Sequence, residues 1–326
     1  MKNDILMTDL NSPSLSFISD MVRTLKTELE LRSFLDVNRG FDLKIHLQRK
    51  IQRINEFFKI ENLDSCVIGL SGGVDSSVVL GLLSLASQES NSPIKKILGM
   101  ALPIFSVGAT GQKEALRKFE LLKSTFSSQN NKIEFFQKDL TQVQESYLRL
   151  EEGKYSPWSA GQLLSIIRVP YLYFHAALLQ EQNYRSIVVG TTNRDEGAYL
   201  GFYGKASDGM VDLQPIADLH KNEVYTIANS IKIPEEIIQA EPTGDIFDGR
   251  TDQEMIGANY EDIRFFILLK DFNLDFQKVI HLLSAKTIQS FENIESIHQK
   301  NLHKYKVGLP SRFIDVMRRI VDGGWS

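Results

Sequence analysis

The chain has 326 residues, of which 42% are hydrophobic and 24% charged, and its net charge is -4. These proportions are typical of a globular protein with a substantial core in one large domain or two modest ones. The negative net charge gives no reason to expect nucleic acid as the main partner, because proteins that bind nucleic acid usually present a basic face. The amino end lacks a signal-like segment and no run of about 18 apolar residues occurs, so we expect a cytoplasmic protein without a membrane partner.

The first 41 residues contain no motif that carries chemistry, and we treat residues 1–41 as an N-terminal extension of unknown role. A partly amphipathic stretch runs over residues 16–35. Four apolar residues then recur at the spacing of a single helical face: Leu47, Ile51, Ile54 and Phe58. This pattern predicts a helix over residues 42–59 that leads into the first strand.

Short apolar runs alternate with longer helix-compatible segments in the middle of the chain. Strands are predicted at residues 66–70, 97–102, 133–136 and 186–190, and helices at residues 76–87, 112–127 and 161–180. This alternation is typical of a parallel sheet with helices on both faces. We therefore expect a doubly wound, Rossmann-like α/β domain over residues 42–326. After residue 230 we expect a helical continuation that packs on the same core.

The single cysteine, Cys66, lies in the first predicted strand. One cysteine cannot form an intramolecular disulfide, and a free cysteine in an apolar run usually behaves as a small core residue. We expect Cys66 to be buried and chemically inert rather than a nucleophile.

Residues 71–77, Ser-Gly-Gly-Val-Asp-Ser-Ser, connect the first predicted strand to the following helix. The paired glycines let the backbone approach a ligand, and the N–H groups of the turn and helix start can hold phosphate oxygens. Ser71, Ser76 and Ser77 add hydroxyl donors. A tight turn with serine caps is the alternative, but it requires neither the paired glycines nor so many hydroxyls. The spacing of a Walker loop is absent.

Residues 190–196, Gly-Thr-Thr-Asn-Arg-Asp-Glu, follow the fourth predicted strand. Ligands of doubly wound sheets bind beyond the carboxyl ends of strands, and carboxylates there suit Mg²⁺, which prefers oxygen ligands. Glu196 is the candidate ligand, with Asp75 opposite it. A helix N-terminus in which Asp195 and Glu196 only complement the helix dipole is an equal alternative from these residues alone.

The glycine loop resembles the pyrophosphate loop of the N-type ATP pyrophosphatases, which cut ATP between its α- and β-phosphates. The chain that follows is similar to the ammonia-dependent NAD synthetases in particular. Residues 205–215, Lys-Ala-Ser-Asp-Gly-Met-Val-Asp-Leu-Gln-Pro, resemble that family's Gly-Asp-Gly-Gly-Ala-Asp-Leu-x-Pro, and residues 218–221 its Gly-Leu-Thr-Lys. Residues 241–246 and 251–263 are similar to two further family motifs in the same order. The resemblance covers about residues 42–315.

This resemblance implies an adenine nucleotide alpha hydrolase-like fold and a ligase that makes NAD from deamido-NAD, ATP and ammonia through an acyl adenylate, releasing AMP and pyrophosphate. It implies catalytic roles for Asp75, Glu196 and Lys221, with Mg²⁺ held by Asp75 and Glu196. ATP and pyrophosphate binding is implied for Gly69, Ser71, Gly72, Gly73, Val74, Asp75, Ser76, Ser77, Thr191, Lys221 and Thr243. Deamido-NAD binding is implied for Gln162, Arg168, Lys205, Asp208 and Asp212. The family also implies a homodimer and a mobile loop over residues 239–255.

One helix departs from the family pattern. Where the family reads Gly-Asn-x-Lys/Gln-Ala-Arg-x-Arg, residues 161–168 place Leu164 and Ile166 at positions that are polar in the family. The resemblance therefore indicates the ATP chemistry more strongly than it indicates the identity of the acid substrate. Two alternatives are a related N-type pyrophosphatase that amidates or thiolates another substrate, and a non-catalytic nucleotide-binding sensor. The position of Cys66 disfavours thiolation, and the presence of both Asp75 and Glu196 disfavours a sensor.

The expected nitrogen source is free ammonia. Glutamine-using relatives carry an amidase domain with a catalytic cysteine, and the 70 residues before the glycine loop are too few to form one. Glutamine could then be used only if a separate glutaminase chain supplied the ammonia.

Overall fold

The computed structural model describes residues 15–106, 109–240, 251–306 and 312–313. Three helices come first: α1 (Leu15–Val22), α2 (Glu28–Arg39) and α3 (Leu43–Ile60). Thr27 and Glu30 form a reciprocal capping box at the start of α2, and Gly40 ends this helix with a φ of 65°. That left-handed conformation favours glycine, so the sequence stops α2 there and turns the chain into α3.

Strands and helices alternate in the next part of the chain. The elements in order are β1 (Ser65–Gly69), α4 (Val74–Gln88), β2 (Lys96–Ala101), α5 (Ala109–Ser127), β3 (Ile133–Gln137), α6 (Thr141–Leu150), α7 (Pro157–Glu181) and β4 (Ser186–Val189). The predicted strand bounds are confirmed to within one residue. Helices α4, α5 and α7 begin two to four residues earlier than predicted, because their first turns carry no apolar periodicity.

The second half of the described chain is mostly helical, as predicted. Its elements are α8 (Arg194–Gly197), β5 (Leu213–Gln214), α9 (Lys221–Ser230), α10 (Glu235–Ile238), α11 (Asp252–Ile256), α12 (Tyr260–Asp271), α13 (Phe276–Val279), a 3₁₀ turn (Ile280–Leu282), α14 (Ala285–Asn301), a second 3₁₀ turn (Leu302–Lys306) and β6 (Arg312–Phe313). The two-residue strands β5 and β6 were not predicted, since so short a segment has no alternation to detect. Helix α6 was also not predicted.

All the strands pair in parallel, in the order β3-β2-β1-β4-β5-β6. The sheet is therefore the predicted doubly wound α/β sheet, and its chain order reverses between β1 and β4. At such a switch point the loops that leave two neighbouring strands diverge to opposite sides and open a crevice. The loop after β1 and the loop after β4 are the two polar loops singled out in the sequence.

Alternate residues of each strand face opposite sides of the sheet. Cys66 and Ile68 enter a core formed with α3, α4 and α9, whereas Val67 enters a second core formed with α7. Cys66 is fully buried, as predicted, and burial raises the pKa of its thiol. The glycine loop and the loop after β4 thus project from strands that are fixed on both faces.

The helical continuation packs on the predicted core only at its start, where Ile233 and Ile237 belong to the core formed with α3, α4 and α9. The prediction is wrong for the part from α11 onward. Its apolar side chains form a separate cluster, centred on α12 and α14 and joined by buried residues of α1 and α2. Leu31 and Leu35 of α2 belong to that cluster. The leading helices therefore pack on the helical part, and the boundary at residue 41 stays a prediction.

Helix α7 is, within the described residues, the single helix long and apolar enough to cross a membrane. A core helix of a soluble protein can meet the same criterion, and α7 lies against β1 and β4.

If α2 packs on the helical part, shortening a side chain on its buried face must lower the free energy of unfolding. Leu35→Ala should lower the free energy of unfolding by about 2–5 kcal/mol, because it leaves a cavity in the helical cluster. Val37→Ala on the same helix, where the side chain is 78% exposed, should change it by less than about 0.5 kcal/mol. Urea unfolding of both variants measures the difference, and equal values would show that α2 is not docked.

Candidate active site

The glycine loop turns sharply from β1 into α4. Gly72 has a φ of +79°, and a Cβ added there would lie 3.0 Å from the carbonyl oxygen of Ala115. Both its backbone conformation and its contact with α5 therefore require glycine. Gly73 is the N-cap of α4 and forms no side-chain cap hydrogen bond. The first N–H groups of a helix have no intrahelical acceptor, so this end of α4 can bind an anion.

The serine hydroxyls of the loop hold its shape. Ser76 Oγ and Ser77 Oγ donate to the carbonyl oxygen of Gly73 at 3.1 and 2.8 Å. Ser71 Oγ accepts from the N–H of Gly73 and lies 3.2 Å from Ser76 Oγ. Ser76 and Ser77 are buried, whereas Ser71 is exposed. Ser71 is therefore the loop hydroxyl with direct access to solvent.

Three side chains predicted to act together meet beside this loop. Lys221 Nζ, at the start of α9, donates to Asp75 Oδ2 at 2.5 Å and to Glu196 Oε1 at 3.3 Å. Asp75 lies on α4 and Glu196 on α8. The Lys221 side chain is almost completely buried. One cation thus joins the two carboxylates that leave the carboxyl ends of β1 and β4.

Neighbouring side chains fix the two carboxylates. Asn193 caps α8 through the N–H of Glu196, and its Nδ2 donates to Asp75 Oδ1 at 3.1 Å. The hydroxyl of Tyr260 donates to Glu196 Oε1 at 2.9 Å and lies 3.3 Å from Asp252 Oδ2. Sequence reasoning assigned no role to Asn193 or Tyr260. The signal was present, since Asn193 lies in the polar segment 190–196 and Tyr260 in the family-like segment 251–263.

The charges in this cluster depend on each other. Burial raises the pKa of Glu196 to about 7 against the opposing effect of the Lys221 ammonium, and the carboxylates of Asp75 and Asp252 add to the rise. Burial alone would disfavour the charged Lys221, but Asp75 and Glu196 more than offset it and raise its pKa. Lys221 is therefore a fixed positive charge.

The backbone of Lys221 is held separately from its side chain. Asp195 Oδ2 accepts the Lys221 N–H at 2.7 Å, and Asp195 Oδ1 lies 2.6 Å from His220 Nδ1. Asp195 and His220 are fully buried. Asp195 is consequently not a surface residue that only complements a helix dipole; it connects the loop after β4 to the start of α9.

Asp75 and Glu196 are of the ligand type that magnesium prefers, and both contact Lys221 Nζ. The described residues contain no group of three or more His, Cys, Asp or Glu side chains that could hold a metal alone. Mg²⁺ in nucleotide enzymes commonly takes one or two protein carboxylates, with phosphate oxygens and water completing six ligands. Two carboxylates therefore suffice for an ion that is also bound to phosphate.

The residues predicted to bind the pyridine nucleotide are not joined in one cluster. Arg168 Nε donates to the carbonyl oxygen of Leu102 at 2.9 Å, and Asp208 attracts its charge. Gln162 and Lys205 are exposed. Asp212 Oδ2 accepts the N–H of Val188 in β4 at 2.7 Å, so this carboxylate is used within the sheet.

The remaining predicted residues occupy separate positions. Gly69 ends β1, and Thr191 is half-buried in the loop after β4. Thr243 lies outside the described residues. Of the two apolar departures in α7, Leu164 packs in the core on the α7 face of the sheet, whereas Ile166 is exposed. Leu164 is therefore explained by packing, and only Ile166 changes an accessible surface.

A cavity of about 730 Å³ lies between α6 and the start of α7. Its described lining includes Glu145, Arg149, Tyr155 and Ala160. It shares none of those lining residues with the cluster around Lys221.

Comparison with known proteins gives relatives over most of the chain. The profile of the family described as NAD synthase matches residues 46–308. An NH(3)-dependent NAD(+) synthetase from Thermoplasma volcanium is 33% identical over 267 residues, covering 80% of this chain and 96% of that protein. A second NH(3)-dependent NAD(+) synthetase, from Pyrococcus horikoshii, is 27% identical and covers 82% of this chain and 95% of that protein.

Solved structures agree with the fold. NMN synthetase from Francisella tularensis superposes with a TM-score of 0.63 at 25% identity, covering 82% of this chain and 98% of that chain. An NH3-dependent NAD synthetase from Campylobacter jejuni superposes with a TM-score of 0.60 at 22% identity, covering 82% and 97%. The predicted α/β fold and the predicted family resemblance are confirmed.

The raised pKa of Glu196 predicts a pH-dependent stability difference. In the folded chain the pKa of this carboxyl is about 7, whereas in the unfolded chain it returns to its ordinary value of 4.5. Its contribution to stability is therefore complete below about pH 4.5 and is lost as the pH rises through about 7. Without metal, the thermal midpoint of the wild type should fall relative to that of Glu196→Gln across this interval. If the thermal midpoints of the two proteins change with pH in parallel, the raised pKa of Glu196 is contradicted.

Proposed function

The chain belongs to the NAD synthase family, and from that premise we propose that it makes NAD from deamido-NAD, ATP and ammonia. The substrate carboxylate attacks the α-phosphorus of ATP, so pyrophosphate leaves and an acyl adenylate forms. Ammonia then attacks the acyl carbon, AMP leaves, and one proton of the nitrogen passes to solvent. The observation that carries this proposal is the cluster of Asp75, Glu196 and Lys221 beside the glycine loop.

The glycine loop would bind the pyrophosphate part of ATP. Its helix start offers N–H groups without helical acceptors, and the dipole of the 15-residue helix α4 favours negative charge at that end. Gly72 and Gly73 let phosphate oxygens approach the backbone without a side chain in between. The Ser71 hydroxyl is the accessible additional donor.

Asp75 and Glu196 would hold Mg²⁺, which supplies a positive charge that disperses the negative charge of the phosphates. Tyr260 and Asn193 hold these carboxylates in position through hydrogen bonds of 2.9 and 3.1 Å. Preorganised carboxylates need little rearrangement when the nucleotide binds.

Lys221 would stabilise negative charge on the phosphate that undergoes attack. Its ammonium is buried, is charged at neutral pH because its pKa is raised, and is fixed by hydrogen bonds to two carboxylates. A fixed charge in a partly dry site stabilises a transition state more than the same charge in water. Of the other two basic candidates, Arg168 donates to the carbonyl oxygen of Leu102 and to Gln112 Oε1, and Lys205 is exposed.

A second candidate acid is a nicotinate mononucleotide. The similarity to NMN synthetase from Francisella tularensis favours it, because that protein is at least as alike in fold as the NAD synthetases compared here. The exposed Ile166 on α7 replaces a polar residue of the dinucleotide-using family and supports the same candidate.

The proposal predicts a specific loss in two variants. Asp75→Asn and Glu196→Gln should each lower the rate of pyrophosphate release by about 10²-fold or more, because a ligand of the ion on the reacting phosphates is lost. Glu89→Gln, at the exposed end of the same helix as Asp75, is the matched control and should keep the wild-type rate. The measurement is ATP-dependent pyrophosphate release with Mg²⁺ and ammonium. A near-normal rate in either site variant would overturn the metal assignment.

Amide formation, measured in the same reaction mixtures, distinguishes the acid substrates and the nitrogen sources. Deamido-NAD and nicotinate mononucleotide are compared at equal concentration, each with ammonium chloride or glutamine. Ammonium should support amide formation and glutamine should not. At limiting ammonium the rate should rise from neutral to mildly alkaline pH, because NH₃ attacks and NH₄⁺ does not. Absence of turnover with either acid would favour a non-catalytic sensor.

The functional unit is proposed to be a homodimer. Helices α6 and α7 pack on each other and present exposed large apolar side chains that include Val143, Tyr147 and Leu150 on α6, and Trp158 and Phe174 on α7. The three residues of α6 recur at the spacing of one helical face. An exposed apolar face of this kind is typical of a protein interface, and a second copy of the chain would cover it.

Sedimentation velocity tests the dimer. The wild type should sediment as a dimer at micromolar concentration, and Tyr147→Glu should shift it towards monomer by placing a charge in the interface. Ile60→Glu, at an exposed apolar residue on α3, is the matched control and should leave the dimer intact. A wild-type monomer with full activity would contradict the proposal.

A further inference from the structure

An ion pair joins the leading helices to the start of α9. Arg39, the last residue of α2, donates from Nε and Nη2 to the two carboxylate oxygens of Glu223 at 3.0 and 3.1 Å. Its Nη2 also donates to the carbonyl oxygen of Asp218 at 2.7 Å. Arg39 is 8% exposed and Glu223 is 2% exposed. Two parallel hydrogen bonds between buried charges fix geometry more strictly than a surface pair does.

Glu223 in turn fixes the first turn of α9. Its Oε2 accepts the N–H of His220 at 2.9 Å. His220 Nδ1 meets Asp195, and Asp195 accepts the N–H of Lys221. Four hydrogen-bonding steps therefore connect the Arg39 guanidinium to the backbone of Lys221.

Helix α2 is itself anchored at a distance from α9. Arg32 pairs with Asp262 at 2.5 Å and lies over the ring of Phe265 at 4.2 Å. Glu28 accepts from the N–H of Ser284 at 2.7 Å. The helical part of the chain thus determines where the end of α2, and with it Arg39, lies.

We propose that Arg39 is a positioning residue for Lys221: α2 brings its guanidinium to Glu223, and Glu223 holds the first turn of α9 so that the Lys221 ammonium meets Asp75 and Glu196. This inference rests on the proposed role of Lys221. Arg39 precedes residues 46–308, the region that matches the family profile. The leading helices would therefore contribute to the site although Arg39 contacts neither Asp75 nor Glu196.

The balance of charge supports a positioning role. Burial would raise the pKa of Glu223, yet the Arg39 guanidinium and the neighbouring His220 hold it at about 2. The groups that face this carboxylate include Arg39, His46, His220 and the N–H of His220. Because Glu223 stays ionised, it is a strong acceptor for the first turn of α9 throughout the working pH range.

The first test compares two arginines of the same helix. Arg39→Met should lower kcat by about 10- to 100-fold, since displacement of a reacting group by a fraction of an ångström is costly. Arg32→Met also removes an arginine from a buried carboxylate, but Leu31 and Leu35 still hold α2 in the helical cluster. It should therefore lower the thermal midpoint but keep kcat. Arg39→Lys, which keeps the charge but not the two parallel bonds, should be intermediate.

A double variant separates positioning from stability. In Arg39→Met with Glu223→Met the thermal midpoint should return towards that of the wild type, because apolar side chains can replace a buried ion pair. The value of kcat should stay low, because the N–H of His220 has lost its acceptor. If kcat instead recovers together with stability, Arg39 is only a structural residue and the proposal is overturned.

A second readout does not depend on synthetase activity. The Lys221 amine should be acylated slowly by an N-hydroxysuccinimide ester in the wild type, where its side chain is 4% exposed. Labelling measured by peptide mass spectrometry should accelerate in Arg39→Met and stay slow in Arg32→Met, with both variants folded. Equal labelling of the two variants would overturn the inference. If the wild type is inactive but Lys221 is still labelled faster in Arg39→Met than in Arg32→Met, the proposed function is contradicted. The Arg39 inference is then still supported.

Discussion

The buried ammonium of Lys221 between two carboxylates is the constraint around which the site is arranged. A lone charge at this depth would be very unfavourable, and the opposing charges of Asp75 and Glu196 make it tolerable. Those carboxylates in turn need further donors, which Asn193 and Tyr260 provide. Each residue of the cluster is thus acceptable only because the others are present, which explains why the site is fixed before any nucleotide binds.

The sheet makes that arrangement possible. With the order β3-β2-β1-β4-β5-β6, β1 and β4 are neighbours although more than a hundred residues separate them in the chain. Asp75 follows β1 and Glu196 follows β4, so both arrive at one crevice. Helix α9, which carries Lys221, packs against α3 and α4 in the core beneath the glycine loop. The phosphate-binding loop, the two carboxylates and the ammonium are therefore positioned by one rigid core.

The helical part contributes from the other side. Tyr260, the first residue of α12, donates a hydrogen bond to Glu196. Asp271, the last residue of α12, pairs with Arg194 of α8. Helix α2 packs on α12 and carries Arg39 towards α9. The second apolar cluster thus does more than stabilise the chain, because it determines where two of the groups around the site lie. It also links the leading helices to the chemistry that the family profile alone would assign to residues 46–308.

The sequence by itself determined the local features. Apolar periodicity predicted α3, α4, α5 and α7 and the four main strands, and the glycine loop was recognisable because its function depends on consecutive residues. The pairing of Asp75 with Glu196 was predicted through the family resemblance and through the rule that ligands bind at strand ends.

Only the tertiary structure decided which distant residues meet. Residues 39 and 223 carry no signal of pairing in one sequence, and an arginine at a helix end is usually a surface charge. The strands β5 and β6 are too short for a pattern, so their parallel neighbours define them. The sequence also did not show that the carboxylates of Asp195 and Asp212 accept backbone N–H groups of α9 and β4. The physical reason is common to these cases: periodicity reports which side of an element is buried, whereas hydrogen-bond partners are decided by how the elements pack.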